Sequence, residues 1–169
     1  MNRDSLLSKI DKLFPAKDEL ILISACLIGI NCTYDNSNNE NNYILQIAKF
    51  RQLIPVCPEQ LGGLPTPREP QTIIDGNGVD VLNGRTQIKT QNKKNVTQFF
   101  LKGAKETGKI IKLFKIKNAI LKEKSPSCGV TKIYNNKKLV EGLGVTSAFL
   151  KNMGIKIYSE KNIEEALSD

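Results

Sequence analysis

Four cysteines and no histidine set the chemistry open to this chain of 169 residues. Cys26, Cys57 and Cys128 each follow an apolar, β-prone run, at residues 21–26, 53–57 and 119–121, the last extended to Cys128 by a short polar stretch. If these runs are neighbouring strands of a parallel sheet, their carboxyl ends share one edge, where open α/β folds build their sites. Three thiolates then converge. Their separations of 31 and 71 residues match no local zinc-ribbon or ferredoxin spacing, so the signal is placement rather than motif. Taken one at a time, each reads better as a small buried hydrophobe than as a ligand.

Soft sulfur donors without nitrogen partners suit zinc or an iron-sulfur cluster. A structural zinc site takes four ligands, and Cys32 is the one remaining candidate. With three ligands, one metal position stays open to water or substrate, as a Lewis-acid catalyst requires. Glu59, two residues past Cys57, can face the same cavity and exchange protons. Ser125 and Ser127 flank Pro126 and can donate hydrogen bonds to a bound sulfur or oxygen. Arg68 offers a planar fork for a phosphate or a carbonyl edge. The absence of histidine excludes Ser-His and Cys-His hydrolases. Gly62-Gly63 lacks the strand-turn-helix setting of a nucleotide fingerprint.

The elements that must position these residues alternate between strand and helix. Residues 4–14 place Leu6, Leu7, Ile10, Leu13 and Phe14 on one face behind Asp4, which predicts a packing helix ended by Pro15. Residues 21–25 read as a strand covered on both faces. A polar, asparagine-rich loop and a short helix around Ile44 and Ile47 lead to a second strand. From 58 to 95, Gly62-Gly63, Pro65, Pro67, Pro70, Gly76 and Gly78 punctuate the chain too often for helix. Within that excursion Asn83-Gly84, between residues 79–82 and 87–88, predicts a type I′ hairpin. A long helix over 96–114, a third strand at 118–121, a hairpin pairing Ile133-Tyr134 with Leu139-Val140, a helix from Val145 stopped by Gly154, a fourth strand at 155–158 and a closing helix complete the pattern. The expected class is α/β: one mostly parallel sheet with helices on both faces and small hairpin excursions. Residues 1–18 are expected as an added packing helix and 19–169 as the functional domain.

Length and a hydrophobic content of 40% fit one buried core. Charges throughout the first 20 residues exclude a secretory h-region there, and no stretch approaches a membrane span, so a cytoplasmic location is expected. The net charge of +8 is mostly lysine. It favours phosphate-bearing small molecules by long-range attraction. No basic run is interleaved with aromatics, so no stable nucleic-acid partner is expected.

Longer motifs surround the candidate residues: Ser24-Ala25-Cys26-Leu27-Ile28-Gly29; Asn31-Cys32 with Tyr34-Asp35; Val56-Cys57-Pro58-Glu59-Gln60-Leu61-Gly62-Gly63-Leu64-Pro65-Thr66-Pro67-Arg68; Leu121-Lys122-Glu123 with Ser125-Pro126-Ser127-Cys128-Gly129; and Gly144-Val145-Thr146. Together they resemble the bacterial and archaeal thiouracil desulfidase family over about residues 20–160. The resemblance implies a 4Fe-4S cluster held by Cys26, Cys57 and Cys128, with one iron left free to take the sulfur of a thiolated pyrimidine. It implies non-redox removal of that sulfur to give a uracil-type product and sulfide. Glu59 is then the expected acid/base and Ser125 its polar assistant, with Arg68, Ser127 and Asn31 as substrate contacts. An exposed iron would make the cluster oxygen-labile, and Cys32 becomes a spare thiol. Asn36, Thr72 and Asn95 depart from residues common in the family and bear on substrate choice, free base or nucleotide. The alternative from a different class is a cluster- or zinc-stabilised module that binds RNA or protein without catalysis, closed by Cys32 as a fourth ligand.

Overall fold

The computed structural model describes residues 3–136 and 138–168. In chain order the first half comprises α1 (Arg3–Leu13), β1 (Leu20–Ser24), a 3₁₀ turn (Ala25–Ile28), α2 (Asn42–Ala48), β2 (Gln52–Val56), α3 (Pro58–Gly62), β3 (Gln71–Ile73), α4 (Gly78–Leu82) and β4 (Ile88–Thr90). The second half runs α5 (Thr97–Phe114), β5 (Asn118–Leu121), β6 (Lys132–Asn135), β7 (Lys138–Glu141), α6 (Val145–Asn152), β8 (Lys156–Ser159) and α7 (Glu160–Ser168). Strands β2, β1, β5 and β8 lie side by side in that order, all parallel, as the apolar runs predict.

Helices cover both faces of this sheet because successive side chains of a strand point to opposite sides. Ile21, Ile23 and Ile120 pack with α1, α2 and α7. Leu22, Ala119 and Leu121 pack with Ile111 of α5 and Leu150 of α6. The N-terminal helix is firmly seated: Ile10 and Phe14 are fully buried, and the buried Arg51 pairs with Asp11 while its Nε and Nη2 donate to the Phe14 carbonyl.

Two features depart from the sequence reading. The hairpin of β6 and β7 forms with Ile133 opposite Val140 and Tyr134 opposite Leu139, but it belongs to a second four-stranded sheet, ordered β4-β3-β6-β7. In that sheet β3 and β4 are antiparallel, and the Ile73–Asn135 bridge joins β3 to β6. The excursion at 58–95 also contains two short helices, which corrects both the loop and the Asn83-Gly84 hairpin. Residues 79–82 lie in α4, opened by a capping box in which Asn77 Oδ1 accepts from the Val79 N–H and Asp80 Oδ2 from the Asn77 N–H. Local capping outcompetes the turn signal there. The second sheet buries Ile73, Ile88 and Ile133 against α4, α5 and α6, so α5 and α6 serve both sheets. No helix among the described residues is long and apolar enough to cross a membrane.

Candidate active site

Cys26 and Cys57 sit just past the ends of β1 and β2, and Cys128 lies on a turn further beyond β5. Cys26 lies in the 3₁₀ turn that continues β1, which ends where Gly29 takes a left-handed φ of 88°. The loop beyond folds back, and the Asn39 N–H donates to the Cys26 carbonyl at 2.9 Å. Cys57 is the N-cap of α3, with Pro58 opening the helix, Glu59 in its first turn and Gly63 closing it at φ 103°. Pro at the start and glycine just past the end form the asymmetry expected of a short helix. Cys128 is carried by a turn that Ser125 caps: its Oγ accepts from the Ser127 and Cys128 N–H groups, both at 3.1 Å. Behind that turn stands the N-terminus of α6, whose Val145 and Thr146 N–H groups donate to the Pro126 and Ser127 carbonyls, while Ser147 Oγ donates to the Cys128 carbonyl at 2.7 Å.

These three segments form one wall of a cavity of about 1070 Å³ between the carboxyl edge of the parallel sheet and the strands of the second sheet. All four thiols line it, all free, together with Glu59, Arg68 and Ser125. Cys57 Sγ donates to Glu59 Oε2 at 3.6 Å, which ties the carboxylate to the thiol wall. Arg68, its side chain only 6% exposed, places both Nη atoms 3.1 Å from the Cys32 carbonyl and Nη2 3.9 Å from Glu59 Oε1. The clamp draws the loop after Cys26 onto the segment after α3.

The wall is hard to ionise in the free protein. Cys57 is pushed up by its hydrogen bond with Cys32, by burial and by the Glu59 charge. Cys128 is raised by burial first and then by Glu59. Cys32 is pushed up to about 11, mainly by its hydrogen bond with Cys26. Binding a metal there must displace protons, so loading is favoured by higher pH. Among the described residues, no three Cys, Asp or Glu side chains gather about a single ion. A wall of three thiols without histidine fits a cluster, in which separate irons take separate thiolates.

The profile of the 2-thiouracil desulfurase family matches residues 21–162. The chain belongs to this family. An uncharacterized relative, YbbK of Bacillus subtilis (strain 168), is 42% identical over 151 residues, covering 88% of this chain and all of its own length. Among solved structures, the 4Fe-4S-dependent thiouracil desulfidase TudS superposes with a TM-score of 0.75 at 32% identity, over 88% of this chain and 95% of that one. The family match begins at residue 21, so α1 lies outside it.

Within this member of the family, the expected site residues divide into two groups. Cys26, Cys57, Cys128, Glu59, Ser125 and Arg68 all line the cavity. Asn31 and Ser127 do not: Asn31 Oδ1 accepts from Asn38 at 2.7 Å on the exposed loop, and the buried Ser127 Oγ shares a hydrogen bond with Thr146 Oγ1 at 2.9 Å. Ser127 alternates with Ser125 in sequence, but the capped turn sends its side chain into α6. Arg68 is present but engaged on Cys32, which differs from the free fork expected for substrate. The opposite wall carries Thr72, already expected to bear on substrate choice, together with Lys89 and Tyr134, which sequence reading did not single out, all from the second sheet, with Lys93 just beyond β4. The turn residues around these short strands were the available signal, but they name no partner strand.

Proposed function

We propose that this protein is a 4Fe-4S-dependent thiouracil desulfidase, which hydrolyses the carbon–sulfur bond of a thiolated pyrimidine to give a uracil-type product and sulfide. The observation that carries this reading is the convergence of Cys26, Cys57, Cys128 and Glu59 on one cavity in a chain of the 2-thiouracil desulfurase family. The three thiolates would hold the cluster, which when bound supplies a Lewis-acidic iron for the substrate sulfur.

The remaining work falls to the chain. Glu59 takes one proton from the water whose oxygen joins the ring carbon and returns it to the sulfur as the carbon–sulfur bond breaks, and the second water proton is lost from the new hydroxyl as the carbonyl forms. One water is consumed, one sulfide leaves and no electrons are exchanged. Ser125 uses its oxygen lone pairs on two N–H groups, which leaves its O–H to donate to the ring or the attacking water. Arg68 holds Glu59 and the Cys32 loop together, a positioning role.

The cavity of about 1070 Å³ lies just above the usual span of small-molecule sites, about 300–1,000 Å³, and has to house the cluster as well as the substrate. Lys89, Lys93 and Lys124 line it and form no ion pair among the described residues. Those cations favour a thiouridine nucleotide over the base, with the phosphate on the lysine wall.

Anaerobic reconstitution with iron and sulfide tests the reading. The expected product is a brown protein absorbing near ~400 nm that converts 2-thiouracil to uracil with stoichiometric sulfide release. A colourless chain loaded with zinc, or a brown one that releases no sulfide from base or nucleotide, would overturn it.

A further inference from the structure

Glu123 is a buried carboxylate with no part in the chemistry above, yet it is among the most heavily used side chains in the molecule. Its Oε1 accepts the N–H groups of Lys132 at 2.8 Å, Thr131 at 3.0 Å, Val130 at 3.1 Å and Lys124 at 3.3 Å. Oε2 accepts the Thr131 hydroxyl at 3.1 Å and the Thr131 N–H at 3.3 Å. Three consecutive N–H groups aimed at one carboxylate form an anion-binding concavity. Here the anion is built into the chain.

The position of this concavity gives it meaning. Glu123 stands just after β5, and the N–H groups it gathers stand where the Cys128 turn ends and β6 begins. The carboxylate thus closes the loop that carries Ser125 and Cys128, helped by the Lys124 N–H donating to the Lys132 carbonyl at 3.0 Å. Contacts with α6 grip that turn from the outside, whereas Glu123 fastens it to the sheet. The fastening continues toward the other thiols. The Glu123 N–H donates to Glu160 Oε2 at 2.7 Å, Glu160 Oε1 pairs with Lys122 Nζ at 2.6 Å, and the Lys122 N–H donates to Ser24 Oγ at 3.0 Å, two residues before Cys26. Every residue of this chain of contacts except Lys122 is at least nine-tenths buried.

We propose that Glu123 is a positioning residue for the metal centre: its carboxylate sets the Cys128 turn against the β1 and β5 ends and so fixes the spacing between Cys128 and Cys26. The proposal takes Cys128 as a cluster ligand and rests on the desulfidase reading. Glutamine at this position keeps the shape but removes the negative charge around which the N–H groups of Lys124, Val130, Thr131 and Lys132 gather, so charge-assisted bonds become ordinary ones. The turn then opens locally while the sheet stays formed.

Two measurements on Glu123→Gln test it. In the cluster-free full-length chain, iodoacetamide labelling is followed at each cysteine by peptide mass spectrometry. Cys128 is expected to react at least about tenfold faster than in the unsubstituted chain, with Cys26 and Cys32 unchanged, because local opening exposes one segment. In the loaded enzyme, iron is expected to pass to a chelator correspondingly faster. Equal acceleration at all three thiols would show a role in global stability and overturn the proposal, as would no acceleration at Cys128. If Glu123→Gln does not fold, Thr131→Val removes a single bond to the carboxylate and is expected to give a smaller rise confined to Cys128; no such rise would again overturn it. Failure of the unsubstituted chain to take up iron would defeat the desulfidase reading alone, since the labelling comparison needs no iron.

Discussion

Glu59 owes its place to two short-range facts, the first turn of α3 that presents it and the Cys57 thiol that holds it at 3.6 Å. Glu59→Gln preserves shape and removes the proton carrier. Turnover of thiouracil is expected to fall about 10²–10⁴-fold, the usual worth of a positioned general base, with KM and iron content little changed. Steady-state kinetics on the reconstituted variant, with iron counted per chain, checks this, and unaltered kcat would remove Glu59 from the reaction. Cys32 invites the opposite expectation. Its thiol is pushed up to about 11, but Cys57 and Cys128 are raised as well, so ease of ionisation does not set it apart; the three-cysteine pattern of the resemblance does. Cys32→Ser is expected to keep both iron and turnover, and loss of iron in that variant would show the fourth position closed. At this scale the sequence was informative wherever a residue's type sufficed: six of the eight expected site residues line the cavity. It misled where direction mattered, since Ser127 and Asn31 have the right chemistry but point into α6 and onto the outer loop.

The short helix α3 carries both a proposed ligand and the proposed base, and what seats it is the absence of two side chains. A Cβ on Gly103 of α5 would lie 2.0 Å from the Pro58 carbonyl oxygen, and one on Gly62 would lie 2.0 Å from the Phe99 carbonyl oxygen. The two helices cross backbone to backbone. Alanine in a helix interior is worth about 1 kcal/mol over glycine, which by itself predicts that Gly103→Ala stabilises. A backbone carbonyl cannot rotate away, however, and overpacking of this kind costs about 1–3 kcal/mol or more. The net expectation is a lower melting temperature together with weaker iron retention, because moving Pro58 moves Cys57 and Glu59 with it. Calorimetry and a chelator assay on Gly103→Ala check the two parts. A stabilised variant with full iron would show that the crossing relaxes freely. The same crossing explains why α3 escaped the sequence reading: Gly62-Gly63 and four prolines nearby look like loop punctuation, although Pro58 and Gly63 also bound a helix correctly. The central strands β1 and β5 were legible because they are short apolar runs buried on both faces, while the edge strands β2 and β8 are only partly covered. The second sheet was not, since β3 and β4 span three residues each and show no sustained alternation.

Across the whole molecule, the two sheets divide the work: the parallel one delivers the thiols and Glu59, the proposed proton carrier, and the mixed one supplies the facing wall with Thr72, Lys89 and Tyr134. The net charge of +8 alone is uninformative, because a lysine-rich composition spreads charge everywhere. Placement changes its meaning, since Lys89, Lys93 and Lys124 share the cavity with the thiols while Lys122 is neutralised by Glu160. A phosphate bound there gains from local contact and from the field of the whole chain, and both weaken as salt shortens the screening length from about 10 Å at 0.1 M to about 3 Å at 1 M. A neutral base feels neither. Raising salt from about 0.1 to about 1 M is therefore expected to raise KM for a thiouridine 5′-monophosphate several-fold and leave KM for 2-thiouracil flat, with kcat for both unchanged. Replacing Lys89 and Lys93 together by alanine should raise the low-salt KM for the nucleotide and weaken its salt dependence, leaving the share owed to Lys124 and to the field of the rest of the chain. Identical salt profiles for base and nucleotide would instead mean that the lysine wall does not meet the phosphate, and that the free base is the ligand for which the cavity is built.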